Sequence, residues 1–180
     1  MAFIDAIADA AIKDVYRYWL TKRAGGRIPL KADINPVEFA PRWLPSLFMY
    51  RLEDKRFRCI LVGTEIVQIF GRDETGMFLD EIVPAKHAAS RQRLFERAVR
   101  DRLPVYYAGA ALLPNRENRR VSRLLLPISS DGKAADHFFG IAKFGPADAR
   151  KPGDIPRDVR NGPAIIAVAT KKDLDRPDSQ

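Results

Sequence analysis

Apolar positions recur at helical spacing near the start of the chain: Ile4, Ile7, Ala8, Ala11, Ile12, Val15, Tyr18 and Trp19. This is the pattern of a helix that buries one face. Lys22 and Arg23 fall in its last turn and Gly25-Gly26 follows, the residue types that suit a helix C-terminus. The spacing predicts a helix over residues 4–23 whose stripe is buried against its own domain or against a second copy. The next segment, "RIPLKADINPVEFAPRWLPSLF", holds Pro29, Pro36, Pro41 and Pro45. Prolines at that density forbid a long helix or a central strand. It reads as an ordered connector whose Leu, Phe and Trp residues wrap a surface.

From Leu47 the period changes to that of strands. Residues 47–53 and 57–63 read as two strands turning at "EDK". In the second, Phe57, Cys59 and Leu61 share one face while Ile60 and Val62 share the other. A strand apolar on both faces is covered on both, and the N-terminal helix is the expected second cover. Thr64 suits the cap of a short helix ended by Gly71. "RDET" then leads to Gly76 and a second short apolar stretch over 77–83. Pro84 opens a longer helix over 85–101, with Leu94, Phe95, Ala98 and Val99 as its buried side. Three more strands are predicted at 104–113, 119–127 and 137–144, separated by the turn-rich "PNREN" and "SSDGKAAD".

The chain therefore divides into an N-terminal helix (1–26), a connector (27–46), a core of strands and short helices (47–145) and a tail (146–180). The tail is rich in Pro, Gly and charge and is expected to be partly disordered. Its run "AIIAVAT" (164–170) either adds a strand or has no fixed place.

Composition narrows the classes. Apolar residues make up 46% of 180, enough for a core, and 31 Lys and Arg against 23 Asp and Glu leave a net charge of +8. The acids are interleaved with the bases, which favours a solvated surface over a nucleic-acid track. A basic nucleic-acid-associated regulator stays as an alternative. The single cysteine, Cys59, permits no disulfide within the chain and fits a reducing compartment. Asp5 and Asp9 interrupt the first apolar stretch, unlike a secretory signal, and no run has the length of a membrane span. A cytoplasmic protein is expected.

"LVGTEIVQIFGRDETGMFLDEI" resembles the stretch where a strand of a PAS domain gives way to its short helices. The order of two strands, short helices, a longer helix and three strands is likewise similar to a PAS domain. The resemblance extends upstream to PAS proteins found mainly in alphaproteobacteria. These carry a Tyr-Trp helix followed by an Arg-x-Pro…Ala-Asp-Ile-x-Pro connector. Here the matching residues are Tyr16, Tyr18, Trp19, Arg27, Pro29, Ala32, Asp33, Ile34 and Pro36, followed by Gly63, Thr64, Gly71 and Gly76. "LPVYYAG", "RRVSRLLLP" and "HFFGIAKF" correspond to the last three strands.

The resemblance implies an α+β fold: a five-stranded antiparallel sheet, short helices on one face and an extra N-terminal helix. It implies a stand-alone sensory or regulatory module without catalytic activity, acting through a small ligand, through a protein partner, or both. A homodimer through the N-terminal helix is expected. On that fold the residues to examine at a cavity are Val67, Phe70, Phe78, Leu94 and Tyr106. The motif residues Tyr18, Trp19, Arg27, Pro29, Asp33, Gly63, Thr64, Gly71 and Gly76 read as structural.

No cofactor is indicated. Flavin photosensing PAS domains place a reactive Cys in Asn-Cys-Arg on a helix, whereas Cys59 lies in a strand within "FRCIL" and reads as core. A haem-binding PAS sensor is a further alternative, with His87 near the start of the longer helix as its axial ligand. His137 reads as exposed. No nucleophile–base pair, P-loop or metalloprotease motif can be named, which leaves an enzyme on this scaffold as the least favoured class. Arg116, Arg119, Arg120 and Arg123, with Tyr106 and Tyr107 before them, read as a charge-protected edge hairpin, with an anion or nucleotide site as the competing reading. Arg58 sits among apolar neighbours and needs a carboxylate, for which Asp33 is the expected partner.

Overall fold

The computed structural model describes residues 2–111, 113, 119–147 and 163–175. Its first helix, α1 (Ala10–Thr21), starts later than the periodicity predicts. Asp9 is extended and its carboxylate accepts the Ile12 backbone N–H at 3.0 Å, an N-cap that fixes where the helix begins. Phe3–Ala6 forms a separate 3₁₀ turn. The buried stripe of α1 is Ile12, Val15, Tyr16 and Trp19.

β1 (Leu47–Glu53) and β2 (Arg56–Val62) form a hairpin. Its two loop residues, Asp54 and Lys55, both have positive φ (44° and 67°), the conformation that matches the twist of the flanking strands. α2 (Thr64–Phe70) ends at Gly71, whose φ of 74° terminates it in the left-handed region. α3 (Leu79–Ile82) and α4 (Ala85–Asp101) follow, then β3 (Val105–Ala110), β4 (Arg119–Ile128) and β5 (His137–Ala147). The predicted turn "PNREN" lies outside the described residues.

The sheet has six strands, not five, in the order β2-β1-β5-β4-β3-β6, each antiparallel to its neighbours. The added strand, β6 (Pro163–Val168), comes from the "AIIAVAT" run and pairs with β3. It satisfies a row of backbone groups that an edge strand would leave open. A last short helix, α5 (Lys171–Asp175), lies near the N-terminus: Asp173 accepts the Phe3 N–H at 3.0 Å and Arg23 donates to the Leu174 carbonyl at 2.9 Å. The rest of the expected disordered tail lies outside the described residues.

Both faces of the sheet are apolar. On the inner face Phe48, Tyr50, Phe57, Cys59, Tyr107 and Phe138 meet Ile66 of α2, Leu79 and Ile82 of α3 and Phe95 of α4. On the outer face Leu47, Leu124, Leu126, Ile128, Phe139 and Ile141 meet the α1 stripe and Trp43 of the connector. Trp19 is fully buried there and donates its Nε1–H to the Pro127 carbonyl at 3.0 Å. The connector is stitched to the sheet through Lys31 N–H to Ser129 O (2.7 Å) and Ser129 N–H to Pro29 O (2.9 Å). The Tyr18 hydroxyl accepts the Asn35 N–H at 3.0 Å. Gly63 is required by close approach, since a Cβ there would lie 2.3 Å from the Pro45 carbonyl oxygen.

Further expectations are corrected. α1 covers β4 and β5 rather than β2. Leu61 also does not share the face of Phe57 and Cys59: Met49 opposes Leu61 while Tyr50 opposes Cys59. The bulge turns Leu61 to the outer face beside Met49 and leaves it 46% exposed. Arg58 also does not reach Asp33. It pairs with Glu53 at 2.8 Å, donates to the Gly76 carbonyl at 2.7 Å and stacks over Phe78 at 4.1 Å, because β2 brings these groups to its own end of the sheet.

Among the described residues no helix is long and apolar enough to cross a membrane. With the α1 stripe buried on its own sheet, Trp19→Ala is expected to cost about 3–5 kcal/mol, read as a lower denaturation midpoint with an unchanged slope. By the same logic, deleting residues 1–20 is expected to destabilise the protein. An intact, equally stable truncated protein would show that the helix is dispensable to the outer core.

Candidate functional site

A small cavity of about 20 Å³ lies between the short helices and the inner face of the sheet. Its helical wall is Phe70, Ile82, Val83 and Arg91, and its sheet wall is Tyr107, Ala111, Val121 and Arg123. That volume is about the room one water needs.

Its polar content is unusual for a core. Arg91 is only 6% exposed, and its guanidinium lies 4.3 Å from the centre of the Tyr107 ring. Arg123 directly opposes Tyr107 across β3 and β4 and points an Nη1–H at the Tyr107 hydroxyl, 3.4 Å away. The same guanidinium lies 5.7 Å from the Phe70 ring and 5.8 Å from the Phe48 ring. Nη1 of Arg91 and Nε of Arg123 are both buried without a hydrogen-bond partner among the described residues. Burial lowers the Arg91 pKa, yet an arginine stays protonated across the usual pH range. Glu74, 2% exposed, sits 3.6 Å from Arg72 Nε. Burial raises its pKa against the attraction of Arg123 and Arg72.

The residues expected at a cavity are scattered. Phe70 lines it. Leu94 is half-buried against the inner core and Val67 is half-buried on α2. Phe78 lies under the guanidiniums of Arg56 and Arg58, at 3.7 and 4.1 Å. Tyr106 is in the outer-face core; its neighbour Tyr107 faces the cavity, because successive strand residues alternate. The expected charged edge hairpin is corrected too. β4 is internal, Arg123 turns into the core, Arg119 is half-buried and Arg120 exposed, while Arg116 lies outside the described residues.

The sequence carried a signal for the missed residues. Arg91 is in phase with Phe95 and Ala98 on α4, and Arg123 alternates in phase with Val121 and Leu125 on β4. A basic residue that keeps the apolar period is turned toward the core; Arg91 is buried there and Arg123 half-buried, with its Nε inside.

The motif residues are spread over the outer cover and the ends of α2. Trp19 anchors α1, Pro29 is buried at the stitch to Ser129, and Arg27 and Asp33 are exposed. Thr64 is the first residue of α2 rather than its cap, a place taken by Gly63 with no side-chain bond, and Gly71 and Gly76 have positive φ. His87 is half-buried in the first turn of α4 and is not among the cavity-lining residues. His137, expected to be exposed, is buried, with Nδ1 2.8 Å from Asp136. Ser46 is fully buried, donates to Glu65 and accepts from Lys143 at 2.9 Å. This contact ties the connector, α2 and β5 together.

A second concavity opens on the outer face, an apolar groove of about 320 Å³ between the connector and β1–β2. Ile34, Phe39, Leu44, Met49 and Leu61 contribute to its walls.

Two outcomes follow from burial. The Cys59 thiol is pushed up to about 12, chiefly by burial, so alkylation at pH 8 is expected to be slow in the native protein and fast after denaturation. Rapid labelling of the native protein would contradict this. For Glu74, the raised native pKa means the folded state holds a proton that the unfolded state releases. Its contribution therefore falls as pH rises above the ordinary carboxylate range. Glu74→Gln is expected to match the wild type near pH 4 and to gain in melting temperature towards pH 7. A loss at pH 7 would mean that the pairing with Arg72 and Arg123 outweighs burial.

None of the curated proteins matches the chain. The sequence profile described as PAS domain matches residues 7–143, from the approach to α1 through β5, and so takes in both walls of the cavity. With short helices laid over one face of an antiparallel sheet, as that fold requires, the chain belongs to the PAS domain family, whose members serve in general as sensory and regulatory modules.

Proposed function

We propose that the protein is a cytoplasmic PAS module of bacterial signal transduction, without catalysis of its own. It passes its signal on through a small ligand that biases the wall formed by α2, α3 and α4, and through a protein partner that reads the change. The observation that carries this reading is the cavity between that wall and the sheet, with Arg91 and Arg123 facing into it. Residues 47–145 act as the sensing core, and residues 1–26 and 27–46 act as its outer cover. The Tyr18-Trp19 helix and the Arg27…Pro36 connector support placement in the alphaproteobacterial group that carries these motifs.

A homodimer belongs to the same reading. Its contact lies outside the Ile12, Val15, Tyr16 and Trp19 stripe, since those side chains are buried within one protomer.

Native mass spectrometry of the freshly purified protein, compared with its denatured mass, tests both parts. A small-molecule adduct lost on denaturation, on a dimer, is the expected result. A bare mass at every concentration would remove the ligand from the reading and leave a partner-driven module. A monomer at micromolar concentration would remove the homodimer.

A further inference from the structure

The inner cavity is lined by two cations with little to balance them. Arg91 and Arg123 come from different elements, α4 and β4, and converge on the same Tyr107. Among the described residues the carboxylate buried near Arg123 is Glu74, which also faces Arg72 and whose Oε1 likewise has no hydrogen-bond partner. Two guanidinium donors, Arg91 Nη1 and Arg123 Nε, end in the core with no hydrogen-bond partner among the described residues. A buried charged donor without an acceptor is among the costlier features a core can hold. Stability alone would be served better by apolar residues of similar volume. The planar fork of arginine matches the two oxygens of a carboxylate or the face of a phosphate. Phe70, Ile82 and Val83 close the rest of the cavity with apolar surface, which strengthens an ionic contact by excluding water.

We propose that this cavity is a receptor site for a compact oxyanion, a carboxylate or phosphate group, held between Arg91 and Arg123. The proposal names the chemistry of the ligand in the sensory reading above and rests on that reading. With about 20 Å³ of free space, the room of one water, the closed form admits only part of such a group. The remainder of the ligand displaces the Phe70 and Ile82 wall, so that occupancy is converted into movement of α2 and α3.

The test uses the full chain in a zwitterionic buffer with chloride as its only small anion. Sodium acetate and sodium phosphate are titrated at matched ionic strength, with binding read by calorimetry and by melting temperature. The expected result is saturable stabilisation by at least one oxyanion over chloride, with acetate and phosphate separating the carboxylate source from the phosphate source. Arg91→Met and Arg123→Met are each expected to weaken binding by about tenfold or more, the worth of one charged hydrogen bond, without lowering the melting temperature of the anion-free protein. Ala111→Leu, which fills the cavity and keeps both guanidiniums, is expected to block binding and serves if either methionine variant does not fold.

Equal responses to oxyanion and chloride would overturn the site and leave a trapped water as the occupant. Unchanged binding in Arg91→Met or Ala111→Leu would assign the anion to surface arginines and overturn it as well. A neutral molecule found by native mass spectrometry, together with no oxyanion response, would overturn the anion site alone and leave the sensory reading standing.

Discussion

β4 runs Leu124, Leu125, Leu126, Pro127, Ile128 without a polar residue. Leu124, Leu126 and Ile128 point to the outer face and Leu125 to the inner, and all four are fully buried. A sheet with such a central strand is stable only when both faces are covered, and the rest of the architecture answers that constraint. The inner face is covered by α2, α3 and α4. The outer face is covered by α1 and by a connector too rich in proline to be anything but a wrap. The Trp19 bond to the Pro127 carbonyl and the paired bonds between residues 29–31 and Ser129 hold the outer cover at the far end of that same strand.

The two covers differ in kind. The outer one is dominated by aromatic contacts: Tyr18 meets Phe39, Trp43 and Phe139 with centroids 5.4 to 6.4 Å apart. The inner one combines a tight aromatic cluster around Phe95, with Tyr50, Phe57 and Phe138 within 5.2 to 5.3 Å, and a charged corner at Arg91 and Arg123. Aromatic packing at one end and a charged corner at the other give the inner wall two unlike parts. That division suits a sensor, because a ligand can shift an equilibrium only through contacts that differ between its states.

Much of this was legible in the chain itself. The strand limits, the stop at Gly71, the long helix after Pro84 and the connector are local matters, set by prolines, glycines and apolar period. The start of α1 was missed because Asp9 looks like an interruption of a helix when it is the cap of one. The cavity was read less well. Tyr106 and Tyr107 are indistinguishable in composition, and only the pairing of Tyr107 with Arg123 determines which ring faces inward. The charge of Arg58 points to a carboxylate such as Asp33. That pair does not form because the hairpin supplies Glu53 at 2.8 Å, a partner from its own strand pair.

The sequence alone determined the order of elements, the two-faced sheet and the family resemblance, because each rests on the spacing of residue types along a few turns or a few strand residues. Only the tertiary structure decided the sixth strand, the placement of α1 over β4 and β5, the bulge that exposes Leu61, and the meeting of Arg91 with Arg123. These depend on register and on contacts between segments far apart in the chain. A shift of one residue in strand pairing exchanges the two faces of a sheet, and nothing local in the chain fixes that shift.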